Sequence, residues 1–79
     1  MHLCISGFLI DDSEDDSLKF ELDVSKDHED AVMEIMNWRN FNEGAVGEVP
    51  LSQAKIRQIE AILKTSLPHE LALYIGVES

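Results

Sequence analysis

Cysteine is nearly missing from this chain: Cys4 is the only one in 79 residues. One thiol cannot close an internal disulfide, and a small secreted scaffold usually carries several, so the sequence points to a reducing, cytoplasmic setting. Basic residues are also scarce, with six lysines and arginines against 16 carboxylates and a formal net charge of -10. A field of that sign repels phosphate backbones and anionic headgroups. It argues against direct nucleic-acid or membrane binding and favours a basic protein as partner. The N-terminal apolar run LCISGFLI is only eight residues long, has no basic lead-in and gives way at once to acids. It is too short to cross a bilayer and unlike a signal peptide. No glycine-rich phosphate cradle is present, since Gly44 and Gly47 are not followed by Lys and Ser or Thr.

What remains is enough for one folded domain, 1–79. Hydrophobic residues make up 44% of the chain beside 28% charged, an apolar share that supports a small core near the lower size limit for independent folding. The charge is lopsided. Residues 1–48 hold 13 acids against Lys19, Lys26 and Arg39, whereas Glu60, Glu70 and Glu78 are matched by Lys55, Arg57 and Lys64. The densest cluster is IDDSEDDS, residues 10–17, with Asp11, Asp12, Glu14, Asp15 and Asp16 interrupted only by Ser13.

Periodicity sets the architecture. HLCISGFLI has apolar side chains at both parities, the pattern of a central strand covered on both faces or flanked on both edges, with Gly7 marking a bulge or a close approach. In SLKFELDV, Leu18, Phe20, Leu22 and Val24 alternate with Lys19, Glu21 and Asp23, as expected of an antiparallel strand with one wet face. The acidic stretch becomes the hairpin loop between these two strands. SKDHEDAVMEIMNW reads as a helix capped by Ser25 or Asp27, with a stripe of Ala31 or Val32, Ile35, Met36 and Trp38; RNFNEGAVGEVP reads as a loop. A second helix in LSQAKIRQIEAILKTSLP has Ser52 as N-cap, Leu51 and Ile56 as staple, and Ile56, Ile59, Ile62 and Leu63 as stripe. ELALYIGV then alternates as a last strand. The expected fold is α+β: a two-layer β-β-α-α-β domain whose mostly antiparallel three-stranded sheet, first strand central, is covered by two helices. One side of it would be anionic.

Few constellations for chemistry survive scrutiny. A calcium loop starting at Asp12 places Ser17 where the glycine belongs and Asp23 where a bidentate glutamate belongs; starting at Asp11 it places Asp16 and Leu22 there. His2, His28 and His69 show no metal-ligand spacing to one another or to Cys4, so no metal and no cofactor are expected. Cys4 lies in an apolar strand, where a small buried hydrophobe is the plainer role, and the serines have cap, loop or strand explanations. The expectation is a binding protein and not an enzyme.

The segments ISGF in the first strand, LKFELDVS in the second, VPLSQAKIRQIEAIL as a capped helix and ALYIGV at the end resemble the small immunity proteins of polymorphic bacterial toxins, including those of contact-dependent growth inhibition systems. The resemblance implies a bacterial cytoplasmic protein that neutralises a cognate toxin domain, commonly an RNase or DNase; a monomer in a 1:1 complex is the expected form, which the residues themselves do not fix. It carries no site residue with it. Charge and position alone nominate Asp11, Asp12, Glu14, Asp15 and Asp16 with Glu21 and Asp23 as contacts for toxin lysines and arginines, and Trp38 or Phe41 as anchor, although a chain this small needs its aromatic area in the core and partial burial is the expectation for Trp38. The loop 40–49, with Asn40, Asn42 and Glu43, is a competing location. Two other functions fit the residues: an acidic DNA mimic or adaptor that occupies a nucleic-acid-binding protein, and a structural module that pairs through the edge of ELALYIGV. A toxin-like neighbouring reading frame separates the first from immunity, and dimers lost on placing a proline in the last strand would mark the second.

Overall fold

The computed structural model describes residues 1–10, 17–45 and 47–78. They form β1 (His2–Leu9), β2 (Phe20–Asp23), α1 (Lys26–Ile35), α2 (Phe41–Gly44), β3 (Val49–Pro50), α3 (Gln53–Leu63) and β4 (Leu71–Glu78). The sheet is antiparallel throughout, in the order β2-β1-β4-β3. β1 is central as its two-sided pattern requires, with the hairpin partner on one edge and the last strand on the other. Four strands and three helices replace the expected three and two. Both additions come from the segment that reads as a loop. No helix among the described residues is long and apolar enough to cross a membrane.

Each addition has a local cause. Asn40 caps α2, its side-chain oxygen accepting from the Glu43 N–H at 3.3 Å, while Glu43 Oε2 accepts from the Arg39 N–H at 2.6 Å. This is a reciprocal cap on one helical turn. β3 adds to the outer edge of β4, pairing Val49 with Ile75 and Pro50 with Tyr74, and the Leu51 N–H donates to the Leu73 carbonyl at 2.9 Å. The β4 edge is therefore covered over its middle, which removes most of the basis for strand pairing with another chain. β2 is also shorter than its alternation: the Lys19 N–H still reaches the Gly7 carbonyl, but Leu18 is exposed.

Alternation sends one set of side chains to the helices. Leu22, Ile5, Ile75 and Val49 form a continuous row across all four strands, with Leu3, Leu73 and Val77 beside it. Val32, Met33 and Met36 of α1 and Ile56 and Ile59 of α3 close over this face into one buried cluster. The α1 stripe is thus Val32, Met33 and Met36, with Ile35 only half-buried. Glu29 shares that face, and its Oε2 has no hydrogen-bond partner among the described residues. Gly7 makes no bulge: it sits in register between Phe20 and Leu73, and a Cβ there would lie 3.0 Å from the Leu71 and Phe20 side chains.

The helix ends are specified separately. Ser25 occupies the N-cap of α1 without a side-chain cap bond; its Oγ lies 2.8 Å from His28 Nδ1 instead. Ser52 caps α3 as the sequence predicts, accepting from the Lys55 N–H. Beyond α3, Glu60 Oε2 accepts from the Leu67 N–H at 2.6 Å and lies 2.9 Å from His69 Nε2, clamping the connection to β4. The Leu67 amide, then His69, hold this carboxyl below its ordinary range. A depressed folded-state pKa means that the stabilisation is present above the ordinary carboxylate range and lost as pH falls through the folded value. Glu60→Gln should therefore lower Tm near neutrality by a few degrees, with the gap to wild type narrowing in acid. Thermal scans across pH check this.

Candidate interaction face

The helices cover only one side of the sheet. The opposite alternation set forms a second face on which no helix of the described residues packs: His2, Cys4, Ser6 and Phe8 from β1, Glu21 and Asp23 from β2, and Ala72, Tyr74, Gly76 and Glu78 from β4. Cross-strand register arranges these residues in rows. His2 lies opposite Glu78; Asp23, Cys4 and Gly76 form the next row; Glu21, Ser6, Tyr74 and Pro50 the third; Phe8 and Ala72 the fourth. The Glu48 side chain lies beside Gly76, so the second row ends on a further carboxylate.

The face is polarised. At one end, Phe8 and Tyr74 meet edge to face, their ring centroids 5.8 Å apart, and both are half-buried. At the other end Glu21, Asp23 and Glu78 are exposed around a small, nearly buried centre of Cys4 and Ser6. Cys4 Sγ and one carboxylate oxygen each from Glu21 and Asp23 lie within 4.8 Å of one another. His2 Nε2 is 3.2 Å from Asp23 Oδ1. Burial, followed by the negative charges of Glu78 and Glu21, pushes the Cys4 thiol up to about 11, so at neutral pH it is a protonated thiol in a negative field.

Glu21 and Asp23 thus do share a face, as their alternation predicts. Trp38 and Phe41 do not join them, since both are half-buried and pack against the core cluster on the helical side of the sheet. The turn after α1 fixes Trp38 there: the Asn37 N–H bonds the Glu34 carbonyl, the Trp38 N–H bonds the Met33 carbonyl at 2.8 Å, and Asn37 takes the left-handed conformation at φ 61°. This Schellman closure folds the indole back over the helix end. Asp11, Asp12, Glu14, Asp15 and Asp16 lie outside the described residues. The remaining acids of the first half do not all face one way: Asp27, Asp30 and Glu34 are exposed on the helical layer, so the anionic surface divides between the two sides of the domain.

His2, Cys4, Phe8, Tyr74 and Glu78 escaped the sequence patterns. Their signal was available only as parity: once β1 pairs with β2 and β4, the even residues of β1 and β4 and the odd residues of β2 share a side. The spacing of His2 and Cys4, empty on paper, is also a same-face pair on a strand. A groove of about 570 Å3 between α1 and α3, lined by Ala31, Glu34, Ile35, Gln58, Ala61 and Ile62, holds Glu34 as its one titratable group and so brings no acid–base pair together.

The chain matches no family model, no curated protein and no solved structure.

Proposed function

We propose that this chain is an immunity-type binding protein that docks a basic protein partner, a toxin nuclease domain, through the uncovered face of its sheet. The observation that carries this reading is the placement of Glu21, Asp23 and Glu78 on one helix-free surface next to the Phe8–Tyr74 pair. A nuclease grips phosphate with lysines and arginines. Carboxylates on a rigid sheet present the complementary charge without having to be ordered on binding. The aromatic pair supplies an apolar contact whose ordering cost is already met in the free protein. The chain's charge of -10 speeds encounter with such a partner.

Co-expression with the protein encoded immediately upstream, followed by capture and an activity test on RNA and DNA, identifies the partner. Against that partner, the triple charge reversal Glu21→Lys, Asp23→Lys, Glu78→Lys should slow association by roughly tenfold or more at low salt and flatten its salt dependence. The charge-matched reversal Asp27→Lys, Asp30→Lys, Glu34→Lys on the helical layer should change it much less. Equal effects of the two would mean that only net charge matters and that the sheet face is not the docking surface. No effect of the triple reversal would remove the face altogether.

A further inference from the structure

We infer that the uncovered sheet face holds a binding site for a zinc-class divalent transition metal, built by Cys4, Glu21 and Asp23 and completed by His2. The donors come from two adjacent, hydrogen-bonded strands. Cys4 is directly opposite Asp23, Ser6 is opposite Glu21, and His2 precedes Cys4 by two residues on the same face. The thiol and the two carboxylates already converge within 4.8 Å of one another; His2 stands just outside that cluster, its Nε2 3.2 Å from Asp23 Oδ1, and would turn in to complete it. Tetrahedral coordination, with metal–sulfur bonds of about 2.3 Å and metal–oxygen or metal–nitrogen bonds of about 2.1 Å, needs ligand atoms roughly 3.5 Å apart. Rotation of the exposed Glu21 and Asp23 side chains covers that difference while the strands stay fixed.

The donor set selects the ion. Calcium and magnesium take oxygen shells of six or more ligands and gain nothing from sulfur or imidazole. Thiolate, imidazole and two carboxylates in a four-ligand cluster suit zinc and its spectroscopic substitute cobalt. Coordination replaces the Cys4 proton, which leaves to solvent, and the thiolate formed is neutralised by the metal among carboxylates that otherwise oppose it. Glu78, opposite His2 in register, adds a further carboxylate beside the site. Glu21 and Asp23 are also the carboxylates proposed to meet a basic partner, so metal and partner would compete for them, but metal binding itself needs only the free chain and is tested without a partner.

The test is titration of the metal-free full-length chain with Co2+. The expected result is a thiolate-to-cobalt charge-transfer absorption in the near ultraviolet together with the intense visible bands of four-coordinate cobalt, all displaced by Zn2+ and not by Ca2+. Cys4→Ser should abolish the charge-transfer band. Asp23→Asn, Glu21→Gln and His2→Gln should each weaken binding by about tenfold or more, and Asp27→Asn with Asp30→Asn should leave it unchanged. Thermal unfolding of each variant without metal separates lost binding from lost folding, and Asp23→Asn, at an exposed position, keeps the test decisive should Cys4→Ser unfold. Cobalt bound without the thiolate band, or with undiminished affinity in Asp23→Asn, would overturn the assignment and place the ion on carboxylates elsewhere.

Discussion

Ile75→Ala should destabilise the domain by about 2–5 kcal/mol and lower Tm by more than about 10 °C. Ile75 is fully buried and, of the two β4 residues paired on both sides, it is the one that faces the core, with Ile5 of β1 and Val49 of β3 as its neighbours. Truncation leaves a hole in the middle of the four-strand row, under Val32 and Ile59, which are themselves fully buried. Rigid strands on either side cannot close that hole. A domain of this size has a total stability of roughly 4–12 kcal/mol, so the loss is a large fraction of the whole. Ile75→Val, which keeps the branched shape, should cost only about 0.5–1.5 kcal/mol. Urea unfolding checks both, and an alanine variant within about 0.5 kcal/mol of wild type would mean that the row is not the centre of the core.

Gly44→Ala should come next in effect, through space and not through backbone conformation. A Cβ on Gly44 would lie 2.6, 2.7 and 2.9 Å from three carbons of the Trp38 ring. The ring cannot swing aside freely, because the left-handed Asn37 and the Trp38–Met33 hydrogen bond hold its backbone. Alanine gains about 1 kcal/mol of helix propensity over glycine, yet overpacking at a fixed aromatic ring costs about 1–3 kcal/mol, and the steric loss dominates. Trp38 is the only tryptophan in the chain, so its fluorescence reports the displacement directly. Emission should shift to the red as the indole leaves the core surface, and Tm should fall. In a Trp38→Ala background the Gly44→Ala change should lose its cost and become neutral to slightly stabilising, since the clash then has no partner and the helix-propensity gain remains. An unshifted spectrum with unchanged Tm would show that the two residues do not touch.

The parts of this fold that follow a long period were legible in the residues. Phe20 and Leu22 alternate with Glu21 and Asp23, and Ile56 and Ile59 recur on a capped helix; both patterns report burial on one side and water on the other. The central position of β1 was legible as well, because Cys4, Ser6 and Phe8 leave too little polar surface for an edge strand. α2 and β3 were not legible by period. One helical turn and two paired residues are too short to show one, and only the Asn40 to Glu43 capping spacing hinted at the turn. Trp38 packs half-buried against the core, as the need of a small chain for aromatic area in its core suggests, and what the residues did not show was the means: a Schellman turn, written in Asn37 and in no hydrophobic pattern, that reverses the chain there. The site was the least legible of all. His2, Cys4, Glu21 and Asp23 are separated along the chain by most of the hairpin, and only cross-strand register brings them together.

The short β3 also bears on how copies of the molecule meet. One rim of the sheet ends in Pro50, whose ring has no N–H to offer an incoming strand. At the other rim, no described strand pairs with the outer side of β2. A second β2 lying antiparallel there would bring its own Glu21 and Asp23 up against the same pair, like charge facing like charge across the seam. A missing donor at one end and repulsion at the other thus oppose the growth of a continuous ribbon from molecule to molecule, even in a crowded cell.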